Sequence, residues 1–293
     1  MIETIIYGFT IGAILYFFSI GLAITFGTMH IINFAHAMVY TLGVYLFISF
    51  LSLMNGFFPI ALAASIAVML PVAYIIERFI IRRLYGENLD YAMIATYGVL
   101  LIGTDFIKMF WGTTPQPVND PVGISLALMG VDLPLYRIIV VICAIALFFS
   151  LKIFFHRSIV GRVVEAALED SEGVRCLGID INKYFSIVFM LGSSLAVLGG
   201  VLYAPISMVD PYMGSDILLV AFAVVIVGGM GNLNGTFFSA MTLGMIMAIT
   251  GRYWPQAAHA MVFVVMAIVL IKDSLFSITR RFISICQRRG SHS

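Results

Sequence analysis

The sequence predicts an all-α fold, namely a polytopic helical integral membrane protein with about eight transmembrane helices. Of its 293 residues, 61% are hydrophobic and 11% are charged, whereas a soluble domain normally carries about a quarter charged residues. Apolar runs of roughly the 20 residues needed to cross a bilayer recur along the whole chain. No long linker divides them, so we expect residues 1–293 to form a single transmembrane domain. The last residues, 289–293, resemble the remnant of an expression tag.

Nine apolar segments follow one another along the chain. They are Ile5–Phe26, Met38–Met54, Pro59–Ile76, Tyr91–Trp111, Leu133–Phe155, Tyr184–Ala204, Ile217–Gly229, Thr236–Thr250 and Ala257–Ile271. The seventh and eighth are shorter than a usual span, and the glycine-rich run Gly228–Gly235 joins them. That pair is compatible with a broken or re-entrant hairpin as well as with two crossings. We therefore expect interrupted or re-entrant segments among about eight full crossings.

The basic residues predict which ends of the helices face the cytoplasm, because Lys and Arg near membrane segments stay inside. Three basic groups stand at segment ends: Arg78, Arg82 and Arg83; Lys152, Arg157, Arg162, Arg175 and Lys183; and Lys272, Arg280, Arg281, Arg288 and Arg289. The loop 112–132 has no Lys or Arg and is expected outside, while the C-terminus is expected in the cytoplasm. The N-terminus is outside if every segment crosses once, and inside if one is re-entrant.

Two polar interruptions of the apolar pattern are candidates for a solute pathway. Asn33, Phe34 and His36 lie between the first two segments, shortly after Gly27, and Asp210 follows the sixth segment. Polar groups at membrane depth usually face a cavity or a neighbouring helix. Interrupted helices in both halves of a chain are typical of transporters built from structural repeats around a central site. A capped turn at the water interface is the alternative interpretation of His36.

The loop 156–183 is the one sizeable polar excursion on the predicted cytoplasmic side. Its Glu and Ala residues favour helix, and Gly173 and Gly178 end the helical pattern, so we expect one or two short amphipathic helices. Such a loop is either a solvated connector or a docking site for a soluble partner.

The sequence lacks a nucleophile with a nearby base, a phosphate-binding glycine loop with its Lys, and paired carboxylates. We therefore expect a transport subunit that is not an enzyme. Asp105 shares a helix face with Lys108 and is expected to pair with it, which leaves few acids for a secondary transporter driven by an ion gradient. Glu77, beside Arg78 and Arg83, is interpreted as part of an interfacial ion pair. A net charge of +1 excludes nucleic acid as a general partner.

Three motifs together resemble the permease subunits of branched-chain amino-acid ABC importers, specifically the H-type subunit of the leucine/isoleucine/valine system. They are the first-helix signature and polar turn Gly21–His36, the loop Gly161–Ile179, and the glycine-rich run Gly228–Gly235. The residues after the histidine, Ala37 and Met38, depart from the family's usual Gly and acidic residue. The solute therefore stays open between branched-chain amino acids and the urea or short amides that other members carry.

The resemblance implies an importer of several chains in a prokaryotic plasma membrane. The partners would be a related or identical second permease, two cytoplasmic ATPases and a periplasmic or extracellular solute-binding protein, with membrane lipid around them. No cofactor is expected in this chain, since ATP and Mg would be bound by the ATPases. Coupling to those ATPases would fall to residues of the cytoplasmic loop: Arg162, Glu165, Glu169, Asp170, Arg175 and Gly178.

Overall fold

The computed structural model describes residues 2–128 and 131–272, and its architecture is helical apart from one short β-hairpin. The helices are α1 (Ile2–Met29), α2 (Ala35–Leu53), α3 (Phe58–Phe79), α4 (Leu89–Trp111), α5 (Leu135–Arg157), α6 (Ile159–Glu169), α7 (Ser171–Cys176), α8 (Ile181–Tyr203), α9 (Met213–Gly228), α10 (Leu233–Tyr253) and α11 (Pro255–Lys272). Within the described residues, eight of these are long and apolar enough to cross a membrane, and α9 is shorter. The predicted polytopic helical fold is confirmed.

The seventh and eighth apolar segments differ in length more than the sequence predicts. Helix α9 is short, with 16 residues, as expected. The prediction that the next segment is also short is wrong, because α10 has 21 residues. Asn232 caps its start by accepting a hydrogen bond of 3.0 Å from the backbone N–H of Gly235. The helix therefore includes residues on both sides of the apolar segment, some of them polar, that a search for apolar runs does not count.

One end of the molecule, which we call the far end, holds the start of α1. Arg137, in the first turn of α5, donates to the hydroxyl of Tyr7 over 2.8 Å, and Arg252, at the end of α10, donates to Thr4 over 2.7 Å. The starts of α1 and α5 and the end of α10 are therefore neighbours. The chain also carries here an antiparallel hairpin of β1 (Ser125–Leu128) and β2 (Val131–Pro134).

The opposite end, which we call the basic end, holds the short helices α6 and α7. Thr28 near the end of α1, Lys152 near the end of α5 and Leu233 at the start of α10 line one groove there, together with Gly161 of α6. Two of the predicted basic groups meet at this end, since Arg82 donates to Ser186 in α8. The apolar helices thus alternate in direction between the two ends, with the N-terminus at the far end.

Helix α1 lies at the centre of the bundle because glycines let its neighbours approach. A Cβ atom on Gly21 would lie 2.6 Å from the backbone oxygen of Gly192 in α8, and one on Gly12 would lie 2.9 Å from Cα of Met241 in α10. Small residues at helix crossings drive such packing inside membranes. Helices α4 and α5 expose large apolar side chains such as Ile102 and Ile153 on their outer faces, as helices in contact with lipid do.

Candidate functional site

The chain turns back into the protein after α1, and this break is the centre of the candidate site. Helix α1 ends at Met29, and His30 adopts the left-handed conformation with φ 53°. The next helix starts at Ala35, yet His36 already lies beside Gly21, eight residues before the end of α1. At 1.5 Å per helical residue, residues 30–34 therefore re-enter the bundle over about 12 Å. The sequence predicted this interruption at the correct place.

Thr96 of α4 supports the backbone of the break. Its hydroxyl accepts a hydrogen bond of 3.2 Å from the N–H of Phe34 and lies 3.2 Å from the carbonyl of Ile32. Thr96 is completely buried. Irregular backbone at membrane depth is stable only where protein groups or water satisfy it, and Thr96 performs that task here. Nothing in the sequence marks this role, since a single Thr in an apolar helix is common.

Asn33 lies in the break with its amide unpaired. Its side chain is only 3% exposed, and neither Oδ1 nor Nδ2 has a hydrogen-bond partner among the described residues. The hydroxyls of Tyr16, Tyr40 and Tyr45 are buried and unpaired as well. Asn33 differs from these because it leaves two donor hydrogens and an acceptor unused. Such a group at membrane depth is a functional-site candidate by default.

A cavity of about 250 Å³ adjoins the break and includes Asn33 in its wall. The other residues of the wall are apolar and come from α1, the break, α4, α9 and the turn after α9: Leu22, Phe26, Ile31, Ile32, Leu89, Phe222, Val225, Ile226 and Met230. Phe34 lies between α4 and α9, with ring centroids 5.9 Å from Tyr97 and 5.5 Å from Phe222. The cavity can hold an aliphatic group, and the amide atoms of Asn33 beside it are covered in this conformation.

His36 lies outside this cavity. Its Nε2 is 3.2 Å from the carbonyl oxygen of Phe18, its ring stands edge-on to the Phe18 ring at 5.0 Å, and it is 1% exposed. It fills the space that Gly21 leaves between α1, α2 and α8. In this conformation His36 is a helix-packing residue, and contact with solute stays a prediction.

Gly27 and Asp210 also lie apart from Asn33. A Cβ on Gly27 would lie 2.6 Å from Cα of Gly231, so Gly27 joins the end of α1 to the turn between α9 and α10. Asp210 accepts a hydrogen bond of 2.8 Å from the N–H of Tyr212 and lines a second cavity, of about 300 Å³, with Asp216 and His259. The two polar interruptions therefore border different cavities in this structure, and a shared pathway stays a prediction.

The loop 156–183, for which the sequence predicts one or two short amphipathic helices, forms two, α6 and α7. In α6, Gly161, Val164 and Ala167 are buried, while Arg162 and Glu165 face solvent. Ser158 caps α6 by accepting from Gly161 over 3.0 Å. The two helices therefore present a polar face away from the bundle.

Helix α7 continues that face. Asp170 caps its start by accepting a hydrogen bond of 2.9 Å from the N–H of Gly173, and Arg175 and Gly178 are exposed. Gly178 has a φ of 78°, which Gly adopts without strain at a helix end. Glu169 ends α6, and its side chain lies outside the described part. Coupling to ATPases through these residues stays a prediction.

The predicted partners of Glu77 are wrong, whereas those of Asp105 are correct. Glu77 pairs with Arg82, whose Nε lies 3.2 Å from Oε1, because the chain bends into a 3-10 turn at Ile81–Leu84. The carboxylate is fully buried rather than interfacial.

Lys108 pairs with Asp105 on α4 at 2.5 Å and donates to the hydroxyl of Tyr212.

Comparison with known proteins supports the resemblance seen in the sequence. The family described as "Branched-chain amino acid transport system / permease component" matches residues 4–271. The high-affinity branched-chain amino acid transport system permease protein BraD of Pseudomonas aeruginosa is 28% identical over 259 residues, which cover 83% of this chain and 84% of BraD. The corresponding permease protein LivH of Escherichia coli is 26% identical over 261 residues, or 84% of each chain. No solved structure matches the chain. Since the family match spans most of its length, the chain belongs to the permease components of branched-chain amino acid transport systems.

Proposed function

We propose that this chain is the membrane permease subunit of an ABC importer for branched-chain amino acids, and that solute passes through the cavity beside Asn33. The names of its relatives support the solute class. The observation that carries the pathway is the buried, unpaired amide of Asn33 in the wall of an otherwise apolar cavity. A closed fold gains nothing from such a group, whereas a passing amino acid can bind it.

The chemistry of the cavity fits an amino acid with an aliphatic side chain. In a conformation that opens Asn33 to the cavity, its amide can donate to a carboxylate and accept from an ammonium group, while Phe222 and Ile226 offer an apolar wall to the side chain. Urea has no aliphatic group, and short amides have only a small one, so both gain less from this wall than a branched side chain does. The cavity therefore favours branched-chain amino acids over the alternative solutes of the family.

The other subunits would supply the energy and deliver the solute. In our proposal the chain assembles with a second permease, two cytoplasmic ATPases that bind ATP and Mg, and a periplasmic or extracellular binding protein. ATP binding would switch the pathway between outward and inward openings by biasing two conformations. The permease itself then needs only weak affinity for the solute and no cofactor.

The proposed orientation in the plasma membrane of a prokaryote follows from the distribution of charge. Arg82, Arg83, Lys152 and Arg157 all belong to the basic end, which we assign to the cytoplasm by the positive-inside rule. The N-terminus would then be external, since Tyr7 contacts Arg137 at the far end. Helix α11 starts at the far end, after α10, so the C-terminus would be cytoplasmic.

The ATPases would dock on the outer face of α6 and α7. Arg162 and Glu165 are exposed on α6, and Leu177 after α7 is 77% exposed, although it is a large apolar residue in a polar loop. An exposed apolar side chain among polar ones is typical of a protein contact. Asp170 and Arg175, exposed on the same loop, would complete the surface.

The test is solute uptake by the complex that co-purifies with this chain from native membranes. Reconstituted into liposomes with its binding protein and ATP, the complex should take up leucine in preference to urea, and Asn33→Ala should reduce leucine uptake. Asn119→Ala, which changes an exposed Asn in the far-end loop, serves as the control and should leave uptake unchanged. Uptake by this chain alone under a proton or sodium gradient would overturn the proposal in favour of a secondary transporter. Preferential uptake of urea would refute the assignment of branched-chain amino acids as the solute.

A further inference from the structure

A buried ionic cluster, unused in the proposed pathway, joins α3 to α8 at the basic end. The carboxylate of Glu77 is 0% exposed. It accepts a hydrogen bond of 3.2 Å from Nε of Arg82, one of 2.8 Å from the hydroxyl of Ser186 and one of 2.8 Å from the hydroxyl of Tyr85. A carboxylate at this depth is stable only because these donors surround it.

Tyr85 extends the cluster in two directions. Its hydroxyl lies 3.7 Å from the sulfur of Met29, the last residue of α1 before the break. Its ring packs edge-on against Phe185 of α8, with centroids 5.6 Å apart and planes at 88°. Burial and the neighbouring carboxylate of Glu77 raise the pKa of Tyr85 well above its usual range, so the hydroxyl keeps the proton that it donates to Glu77.

Phe185 continues the contacts to the helices α6 and α7. It is partly buried against a small core formed by Ala167 of α6, Val174 of α7 and Ile181 at the start of α8. A continuous series of side chains therefore runs from this core through Phe185 and Tyr85 to Met29. It connects the proposed ATPase-docking surface with the break that carries Asn33.

We propose that Glu77 is a positioning residue that transmits movement of α6 and α7 to the break after α1. Glu77 does not contact the cavity, and it acts by fixing Tyr85 against Met29 and Phe185. The source of the movement rests on the proposed function, since only docked ATPases would displace α6 and α7. A chain of contacts alone does not demonstrate coupling, so the proposal needs a readout at the break itself.

The experiment measures how fast an aqueous maleimide labels a cysteine at position 32, which lines the cavity beside Asn33. The background is the full chain with Cys143, Cys176 and Cys286 replaced by Ala, into which Ile32→Cys is introduced. The test variants are Glu77→Gln and Tyr85→Phe. The second removes only the hydroxyl between Glu77 and Met29 and keeps the ring against Phe185, so it is the variant less disruptive to folding.

Tyr136→Phe is the matched control, because the hydroxyl of Tyr136 also donates one hydrogen bond, of 2.9 Å to the carbonyl of Leu202, and Tyr136 is even more deeply buried than the partly buried Tyr85. In the isolated, folded chain we expect both test variants to label at least threefold faster than the background, and the control to label at the background rate. In the complex, ATP should change the labelling rate of the background and control but not that of Glu77→Gln, while ATP hydrolysis continues.

Labelling of folded Tyr85→Phe at the background rate, or an ATP response retained in Glu77→Gln, would overturn the proposal and leave the cluster a purely structural role. If no ATPase associates with the wild-type chain, the proposed function fails, yet the labelling of the isolated chain still decides whether Glu77 controls the break.

Discussion

Replacing Asn33 by Leu should stabilise the protein while impairing transport. A buried amide without partners destabilises a fold by about 1–3 kcal/mol relative to an apolar group of similar shape. Leu has the same branched shape as Asn and suits the apolar wall of the cavity. We therefore expect Asn33→Leu to raise the free energy of unfolding by about 1–3 kcal/mol. At roughly 2–4 °C per kcal/mol for chains of this order of size, the unfolding midpoint would rise by roughly 2–12 °C.

Transport should change in the opposite direction. A hydrogen bond from the amide to a charged group of the solute contributes about 1.5–3 kcal/mol, which corresponds to roughly a 10- to 150-fold effect on rate if the bond is made at the barrier to passage. Leucine uptake by the reconstituted complex should therefore fall at least about tenfold in Asn33→Leu. A mutation that raises stability and lowers activity marks a residue kept for function.

Thermal unfolding in lipid nanodiscs and uptake in liposomes measure the two effects on one preparation. Thr104→Val is the control, since the hydroxyl of Thr104 is buried but paired with the carbonyl of Leu100 at 2.8 Å. It should gain no stability and retain uptake. A lower unfolding midpoint for Asn33→Leu, or uptake equal to wild type, would refute the interpretation of Asn33 as an unpaired pathway residue.

Three further substitutions test the packing and the loop. Gly21→Ala should lower the unfolding free energy by about 1–3 kcal/mol or more, because its Cβ would lie 2.7 Å from an atom of His36. Gly98→Ala is the control, because open space surrounds Gly98, and it should leave stability unchanged. Thermal unfolding measures both variants. Thr96→Val should lower the free energy of unfolding by about 1–3 kcal/mol, because it leaves the N–H of Phe34 unpaired. Thr96→Ser keeps the hydroxyl and should restore that stability. Equal thermal unfolding midpoints for the two variants would contradict this. Asp170→Ala should remove about 0.5–2 kcal/mol of helix-capping energy and reduce uptake without reducing membrane insertion. Asp170→Asn, which can still cap the helix, should keep both the stability and the uptake of the wild type. Equal uptake in the two variants would exclude a role for the cap.

The helices and the break were predictable because their signals are local. Long apolar runs predict spanning helices whatever their neighbours are, and Asn33 stands out because it interrupts such a run. The Glu and Ala residues of the loop 156–183 predict α6 in the same way. In each case the physical cause lies within one segment of sequence.

The wall of the cavity could not be predicted in this way. Leu22, Leu89 and Phe222 meet only because α1, α4 and α9 converge on the break, and each reads as an ordinary apolar residue in its own segment. The partner of Glu77 was missed for a related reason. Arg82 is five residues away and off the helix face, and it reaches the carboxylate only through the 3-10 turn that follows α3.

The energetic cost of the break argues for its role independently of the family. Within four residues the chain holds His30 in a left-handed conformation and buries the unpaired amide of Asn33. Each feature costs about 1–3 kcal/mol, so together they oppose a total stability that is typically about 5–15 kcal/mol. An uninterrupted helix with an apolar residue at position 33 would avoid both. Local rules are broken at functional sites and compensated elsewhere, and here the hydrogen bonds of Thr96 to the break provide compensation. Stability and transport therefore oppose each other at Asn33, which is why one substitution there can separate them.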